Sequence, residues 1–332
     1  MQKKIIALAI ASALVAPVAA MADTGGNVGL YGQVNLSAER INDGATTNSK
    51  STSELVNNAS RLGVAGNEDI GGGLTAMFQA EGSVDQASGS NTFTFDRNTF
   101  LGLKSADFGT ALAGRYDSAY KISTRSLDLF ADDTAADNRG LAGVTLMGNG
   151  HDARRQNSIN YMSPSMGGFS VAGAVAKQQT AAEGSTVSLA GMYGMEGMYA
   201  TLAYDKTKAI AGASGKAFKL GGSYAIDAFK INAVVEKTTD TTTAGDTKGT
   251  NLYLGGKYSL SSTDAVKLAF TKRGDAKLNG GAATNNAKQV TVGYDHEMSK
   301  RTSVYALYNK VTQAATNAAD PSTVAVGMKH AF

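Results

Sequence analysis

The sequence predicts an all-β chain folded as a 16-stranded antiparallel transmembrane β-barrel, and three observations carry that prediction. Apolar and polar residues alternate with period two along nearly the whole chain beyond residue 22. Short and long connections take turns between the alternating segments. One face of each segment is polar and charged, while the other is modestly apolar and rich in alanine and glycine, as contact with lipid permits. A soluble sandwich of this length would need a face of larger apolar residues.

The first residues stand apart. Lys3 and Lys4 precede the apolar run IIALAIASALVAPVAA, and Ala20-Met21-Ala22 ends it with small residues before Asp23. Residues 1–22 therefore read as a secretory signal peptide and 23–332 as the barrel domain. The apolar run is short for a membrane span. The formal charge is +3, and removing Lys3 and Lys4, with no acid in that segment, leaves +1. A nearly neutral chain argues against nucleic acid or anionic lipid as the main partner. No cysteine is present, which excludes a disulfide scaffold. With 3 prolines, 39 glycines and no linker-like change of composition, one closed architecture fits better than two soluble domains.

The strands follow in order. In NVGLYGQVNLSAER, Val28, Leu30, Val34, Leu36 and Ala38 oppose Tyr31, Gln33, Asn35, Ser37 and Glu39. GLTAMFQAEG sets Leu74, Ala76, Phe78 and Ala80 against Thr75, Met77, Gln79 and Glu81. The uncharged window 156–176 holds Pro164, Gly167 and Gly168, so it reads as two strands around a turn, not as a helix. AFKLGGSYAI places Phe218, Leu220 and Tyr224 opposite Lys219, Gly221 and Ser223. NLYLGGKYSL and AVKLAFTK repeat the pattern with Leu252, Leu254, Tyr258, Val266, Leu268 and Phe270 outward, and Lys257 and Lys267 inward. The last segment, STVAVGMKHAF, alternates to its final residue, Phe332, which implies that it is paired instead of frayed. In lipid every backbone group must be bonded, so this strand is expected to pair with the first and close the barrel.

Seven short connections (68–73, 105–110, 163–168, 195–197, 226–229, 261–264 and 298–301) and eight long polar ones give the count of 16. Tyr193, Tyr199, Tyr224, Phe229 and Phe169 lie beside short turns, where interfacial aromatics belong. No chemistry of an enzyme is evident. GNEDIGGG has glycines spaced like a phosphate-binding loop but lacks the Lys-Ser/Thr pair and reads as a hairpin turn. His151, His296 and His330 are far apart in sequence and have no cysteine beside them, so neither a metal nor another cofactor is expected. No G-x-S-x-G motif occurs, and the adjacent Glu68 and Asp69 diverge on a strand or turn.

Three blocks, SRLGVAGNEDIGGGLTAMFQAEG (60–82), FDRNTFLGLKSADFGTALAGRYDSAY (95–120) and RRQNSINYMSP (154–164), together with Phe332, resemble the general porins of Gram-negative bacteria, of the β-proteobacterial, neisserial-like type. The resemblance runs the length of the mature chain. It implies an outer-membrane homotrimer of 16-stranded barrels, with the third extracellular loop folded inward. It also implies outer-membrane lipid and lipopolysaccharide as surroundings, and Phe332 as a signal read by the outer-membrane assembly machinery. The third long connection, 117–153, is the longest, and loops of that length are usually functional or disordered. By resemblance it is the constriction loop, with Asp128, Asp132, Asp133 and Asp137 facing basic residues on the wall.

Parity suggests which bases line the pore, because a charge on the lipid face near the midplane costs about 2–4 kcal/mol. Outward Leu62 and Val64 turn Arg61 inward; outward Leu112 and Tyr116 turn Arg115 inward; outward Ile159 and Tyr161 turn Arg154 inward. Arg97 matches an arginine of the family's pore by resemblance, although Leu101 shares its parity. Lys257, Lys267 and Lys329 point inward, as does Glu81. A barrel of this size leaves an aqueous channel, and bases facing acids across it would orient small hydrophilic solutes and tune ion passage. The bases outnumber the acids, which favours anions. Passive diffusion is the leading reading. A substrate-specific channel, or a non-conducting barrel used as an adhesin, is the alternative.

Overall fold

The computed structural model describes residues 27–332, apart from 90–92, 133–134, 142–143, 149, 181–182, 210–211, 282 and 284. The expected signal peptide, residues 1–22, and the expected constriction residue Asp133 lie outside the described residues.

Sixteen barrel strands follow one another round the wall. They are β1 (Asn27–Asn42), β2 (Ser51–Asn57 continued by Arg61–Gly71), β3 (Leu74–Ser83), β4 (Thr99–Ser105), β5 (Gly109–Asp117), β6 (Arg154–Met162), β7 (Phe169–Thr180) and β8 (Glu183–Met195). The second half comprises β9 (Met198–Lys208), β10 (Ser214–Ile226), β11 (Phe229–Thr242), β12 (Gly245–Ser259), β13 (Asp264–Arg273), β14 (Ala287–Glu297), β15 (Thr302–Gln313) and β16 (Ser322–Ala331). Each pairs antiparallel with its sequence neighbour. β1 pairs with β2 on one side and with β16 on the other, from Gln33↔Ala331 to Asn42↔Ser322. Among the described residues no strand of the wall is left with an unpaired edge, which is the condition for strands in lipid. Phe332 extends the seam by exchanging two backbone hydrogen bonds of 3.1 Å with Gly32.

The two faces are inverted relative to a soluble protein. Leu30, Leu101, Ile159, Leu202, Leu220, Ile231, Leu268 and Val326 are 56–67 % exposed. Asn35, Ser188, Asp205, Lys219, Asn232, Glu236, Gln289 and Asn309 are buried inside. Apolar area on this scale is stable only against hydrocarbon. Beside the short turns, the rings of Phe169 and Tyr193 lie 4.4 Å apart and those of Phe229 and Tyr258 4.5 Å apart, with Phe169, Phe229 and Tyr258 exposed as an interfacial girdle requires. Tyr199 is the exception among the expected girdle residues. It points inward and donates a 2.5 Å hydrogen bond to the Ser123 carbonyl.

Among the described residues, the connection from β5 to β6 (118–153) folds into the barrel. It opens with a short helix, α1 (Ala119–Thr124), whose first turn is capped by Ser118 accepting from the Lys121 amide. Leu127, Phe130, Ala135, Ala136, Leu146 and Met147 then pack against Val234, Tyr253, Ala269, Tyr305 and Leu307 on the inner wall. The barrel's only large apolar cores among the described residues are this one and the cluster of Tyr120 and Ala119 with Met77, Phe100, Leu112, Tyr116 and Met162. Both lie inside the barrel, between loop and wall.

Candidate functional site: the constricted channel

The wall supplies hydrogen-bonding groups that fasten the loop by its backbone as well as by its side chains. Asn232 donates to the Leu127 carbonyl (2.7 Å), the Leu129 amide donates to the Tyr253 hydroxyl (2.9 Å) and Lys267 donates to the Leu129 carbonyl (2.9 Å). Gln289 reaches the Ala136 carbonyl (3.0 Å), Asn309 the Ala135 carbonyl, and Asn35 the Asp132 carbonyl (3.2 Å). The loop thus follows the inner face of β11 to β15 round to β1, and its acidic part arrives opposite β2 and β3.

There a row of charges meets it. The Arg61 guanidinium reaches Asp132 at 3.2 Å, Gln33 at 3.1 Å and Glu81 at 3.9 Å. Arg97 holds the other oxygen of Glu81 at 2.5 Å. Arg154 is bonded to Asp117 at 3.2 Å and to the Asn98 side-chain oxygen at 2.8 Å. From the loop itself, Arg125 binds Asp132 at 3.0 Å and Lys121 binds Asp117 at 2.8 Å. Burial alone would push the Asp132 carboxyl up, but Arg125 and Arg61 overcome it and hold the group well below the usual carboxylate range. Arg125 is raised in turn.

The other expected residues have different places. Asp128 accepts from the amides of Phe130 and Asn138, and Asp137 accepts from the amide and guanidinium of Arg139. Both carboxylates shape the loop and neither touches a wall arginine. Burial, then the nearby Asp137 carboxylate, raises the Asp128 carboxyl. Lys267 is buried, bonded to Asp295 at 2.8 Å, with its ammonium 4.5 Å from the centre of the Phe130 ring. Lys257 lies on the inner face beside it, and Lys329 is exposed on the inner face near the short-turn rim.

The parity argument fails on β5. Leu112 and Tyr116, expected to face lipid, are 2 % and 7 % exposed and belong to the inner apolar cluster. Arg115 pairs with Thr99, in the outward register of Leu101 and Ala113, and donates to the Asp96 carbonyl at 2.7 Å. Alternation is also broken on β6, where two residues of β6 oppose one of β5 and Asn157 takes a left-handed φ of 48°. The shift turns Arg155 inward to Asp205 (3.4 Å), while Arg154 at the strand end still reaches Asp117.

Sequence reasoning missed a second polar cluster, which holds both feet of the loop. Lys219, Asp152 and Glu236 form one part, with Lys219 2.5 Å from Asp152 and Glu236 accepting from the Tyr120 hydroxyl (2.7 Å) and the Gly148 amide (3.0 Å). His151 forms the other, 2.8 Å from Asp205 and 3.7 Å from Asp240. Burial disfavours its charge, yet the two aspartates raise its pKa to about 9. The inward parity of Lys219 was a signal, but nothing in the loop's sequence points to its partner.

A closed barrel with an apolar exterior, a polar interior and a charged loop drawn across it defines a membrane channel. The chain belongs to the Gram-negative porin family, whose model matches residues 7–317, and it is an outer-membrane porin, a channel for diffusion of solutes. It is 30 % identical to outer membrane porin protein 32 of Delftia acidovorans over 366 aligned positions, covering all of both chains. It is equally 30 % identical to the major outer membrane protein P.IB of Neisseria lactamica over 357 positions, again covering all of both. Among solved structures, an anion-selective porin from Comamonas acidovorans superposes with a TM-score of 0.78 at 25 % identity, over 93 % of this chain and 100 % of that one. The trimer form of OmpT from Vibrio cholerae shares the fold, with a TM-score of 0.71 at 16 % identity, over 93 % of this chain and 100 % of that one.

Proposed function

We propose that this porin is a passive, anion-preferring channel whose narrow point lies between the inward loop and the wall of β2, β3 and β6, and that it performs no chemical step. The observation that carries the reading is the imbalance of charge there. Among the described residues, Arg61, Arg97, Arg125, Arg154 and Lys121 stand with three carboxylates, Glu81, Asp117 and Asp132. Fixed cations in a narrow aqueous passage lower the energy of an entering anion and raise that of a cation. Glu81 and Asp132 anchor the guanidinium groups without cancelling them. The anion selectivity of the Comamonas acidovorans relative supports the same sign.

The functional unit is a homotrimer in lipid and lipopolysaccharide, a reading supported by the trimeric form of a fold relative. Residues 1–22 direct export and are removed, and Phe332 is presented to the assembly machinery. Refolded protein in a planar bilayer under a salt gradient tests the proposal. Current steps in threes with a reversal potential on the anion side are expected. A cation-side reversal potential, or a folded barrel that does not conduct, would overturn it.

A further inference from the structure

Three lysines stand in a row on the inner wall, on the short-turn side of the constriction. Lys230 of β11 is the register partner of Lys257 of β12, and Lys257 is the partner of Lys267 of β13. Directly opposed residues on neighbouring strands have Cβ atoms about 4.5–5.5 Å apart, and like charges so placed repel. Lys267 is relieved by Asp295 and by the Leu129 carbonyl. Lys230 and Lys257 have no carboxylate within salt-bridge distance among the described residues, and both are half-buried. A sheet that keeps two uncompensated ammonium groups face to face in a confined lumen has the composition of an anion site.

The surroundings fix where that site lies. The next inward pair towards the long-loop rim is Asn232 with Gly255. Asn232 carries the Leu127 carbonyl, and a Cβ on Gly255 would stand 3.1 Å from Leu129. The lysine pair therefore sits immediately beneath the loop, about 7 Å further along the strands. It lies on the wall across the barrel from Arg61 and Arg97.

We infer that Lys230 and Lys257 form a second anion site, distinct from the arginine-lined constriction, that holds a phosphate-type dianion on the short-turn side of the loop. One monovalent anion would neutralise only one of the two ammonium groups, whereas a tetrahedral dianion offers an oxygen to each. The ligand chemistry is shared by free phosphate and by the phosphate of a small monoester. This inference concerns a separate wall, and does not require the constriction to prefer anions.

The test is the channel's chloride current in a bilayer, titrated with inorganic phosphate on either side separately. The wild-type protein is expected to show a saturable fall in current, reached at lower phosphate when it is added from the short-turn side. In Lys230→Gln/Lys257→Gln, the half-saturating concentration should rise about tenfold or more, while Lys230→Arg/Lys257→Arg restores the fall. Heat-modifiable mobility on gels establishes that each variant has folded. Arg61→Gln should shift the reversal potential and leave the short-turn-side phosphate effect in place. An unsaturable effect, or an equal one in the glutamine variant, would overturn the inference and leave the selectivity of the constriction standing. If glucose 6-phosphate produces the same saturation as phosphate, the site reads the phosphate group. If it produces none, the inference holds for free phosphate alone.

Discussion

Arg61 is the residue through which the selectivity reading is most directly probed, because it touches the loop and the wall at once. Its bonds to Asp132, Gln33 and Glu81 hold the guanidinium in one orientation. Arg61→Gln combined with Arg97→Gln should reduce the anion-to-cation permeability ratio several-fold, read as a shift of the zero-current potential under a salt gradient. Asp132→Asn works in the opposite sense. It frees Arg61 and Arg125, so anion preference should increase, and it should weaken the loop's attachment by about 1–3 kcal/mol, detectable as noisier open-channel current. Residues of this kind were partly legible in the sequence. Arg61 follows from clean alternation on β2, whereas Arg115 was misplaced because Leu112 and Tyr116 are apolar yet face inward to pack under the loop. Parity identifies a lipid face only where nothing apolar is folded inside the barrel.

At the level of the element, the inward loop is held in two different ways. Its middle is bound mainly through its backbone, by neutral side chains and Lys267, while its feet are bound by ionisable groups. His151 faces Asp205 of β9, Asp240 of β11 and, through Asp205, Arg155 of β6, with the Tyr120 ring of α1 6.0 Å away. Its pKa is raised from 6.5 to about 9 in the folded chain. A raised value means that the stabilisation is fully present below about pH 6.5 and is lost as pH rises through about 9. The wild-type channel should therefore become noisier, or close more often, as pH is raised across that interval, and His151→Gln should remove most of the change. Recordings at a series of pH values check this. The loop's length flagged it in the sequence, but its path could not be read there. Its anchors are backbone groups, which every residue has, and their partners lie 97 to 174 positions away in the chain.

For the whole molecule, the count of strands, the alternation of short and long connections and the closing pair were all legible, because lipid leaves the backbone a single way to satisfy its hydrogen bonds. The seam where β1 meets β16 is also packed closely. A Cβ on Gly32 would stand 2.5 Å from the Phe332 ring and 2.7 Å from the Arg61 carbonyl oxygen. Gly32→Leu should cost about 1–3 kcal/mol through overpacking, seen as a lower temperature at which the barrel loses its compact mobility on gels. Phe332→Ser should leave more room there and, if the terminal residue is read during assembly, should reduce the amount of protein reaching the outer membrane.

The same seam sets the order of events in the life of the chain. Gln33 lies opposite Ala331, so the bond that turns a ribbon into a tube joins the two extremes of the described sequence. Until the last strand arrives, every intermediate exposes two open edges and can recruit a strand from a neighbour as readily as its own. Synthesis from the first residue onward therefore gives no partial tube. The chain must be kept apart from its siblings through its whole translation and crossing, and the channel comes into being in one late step.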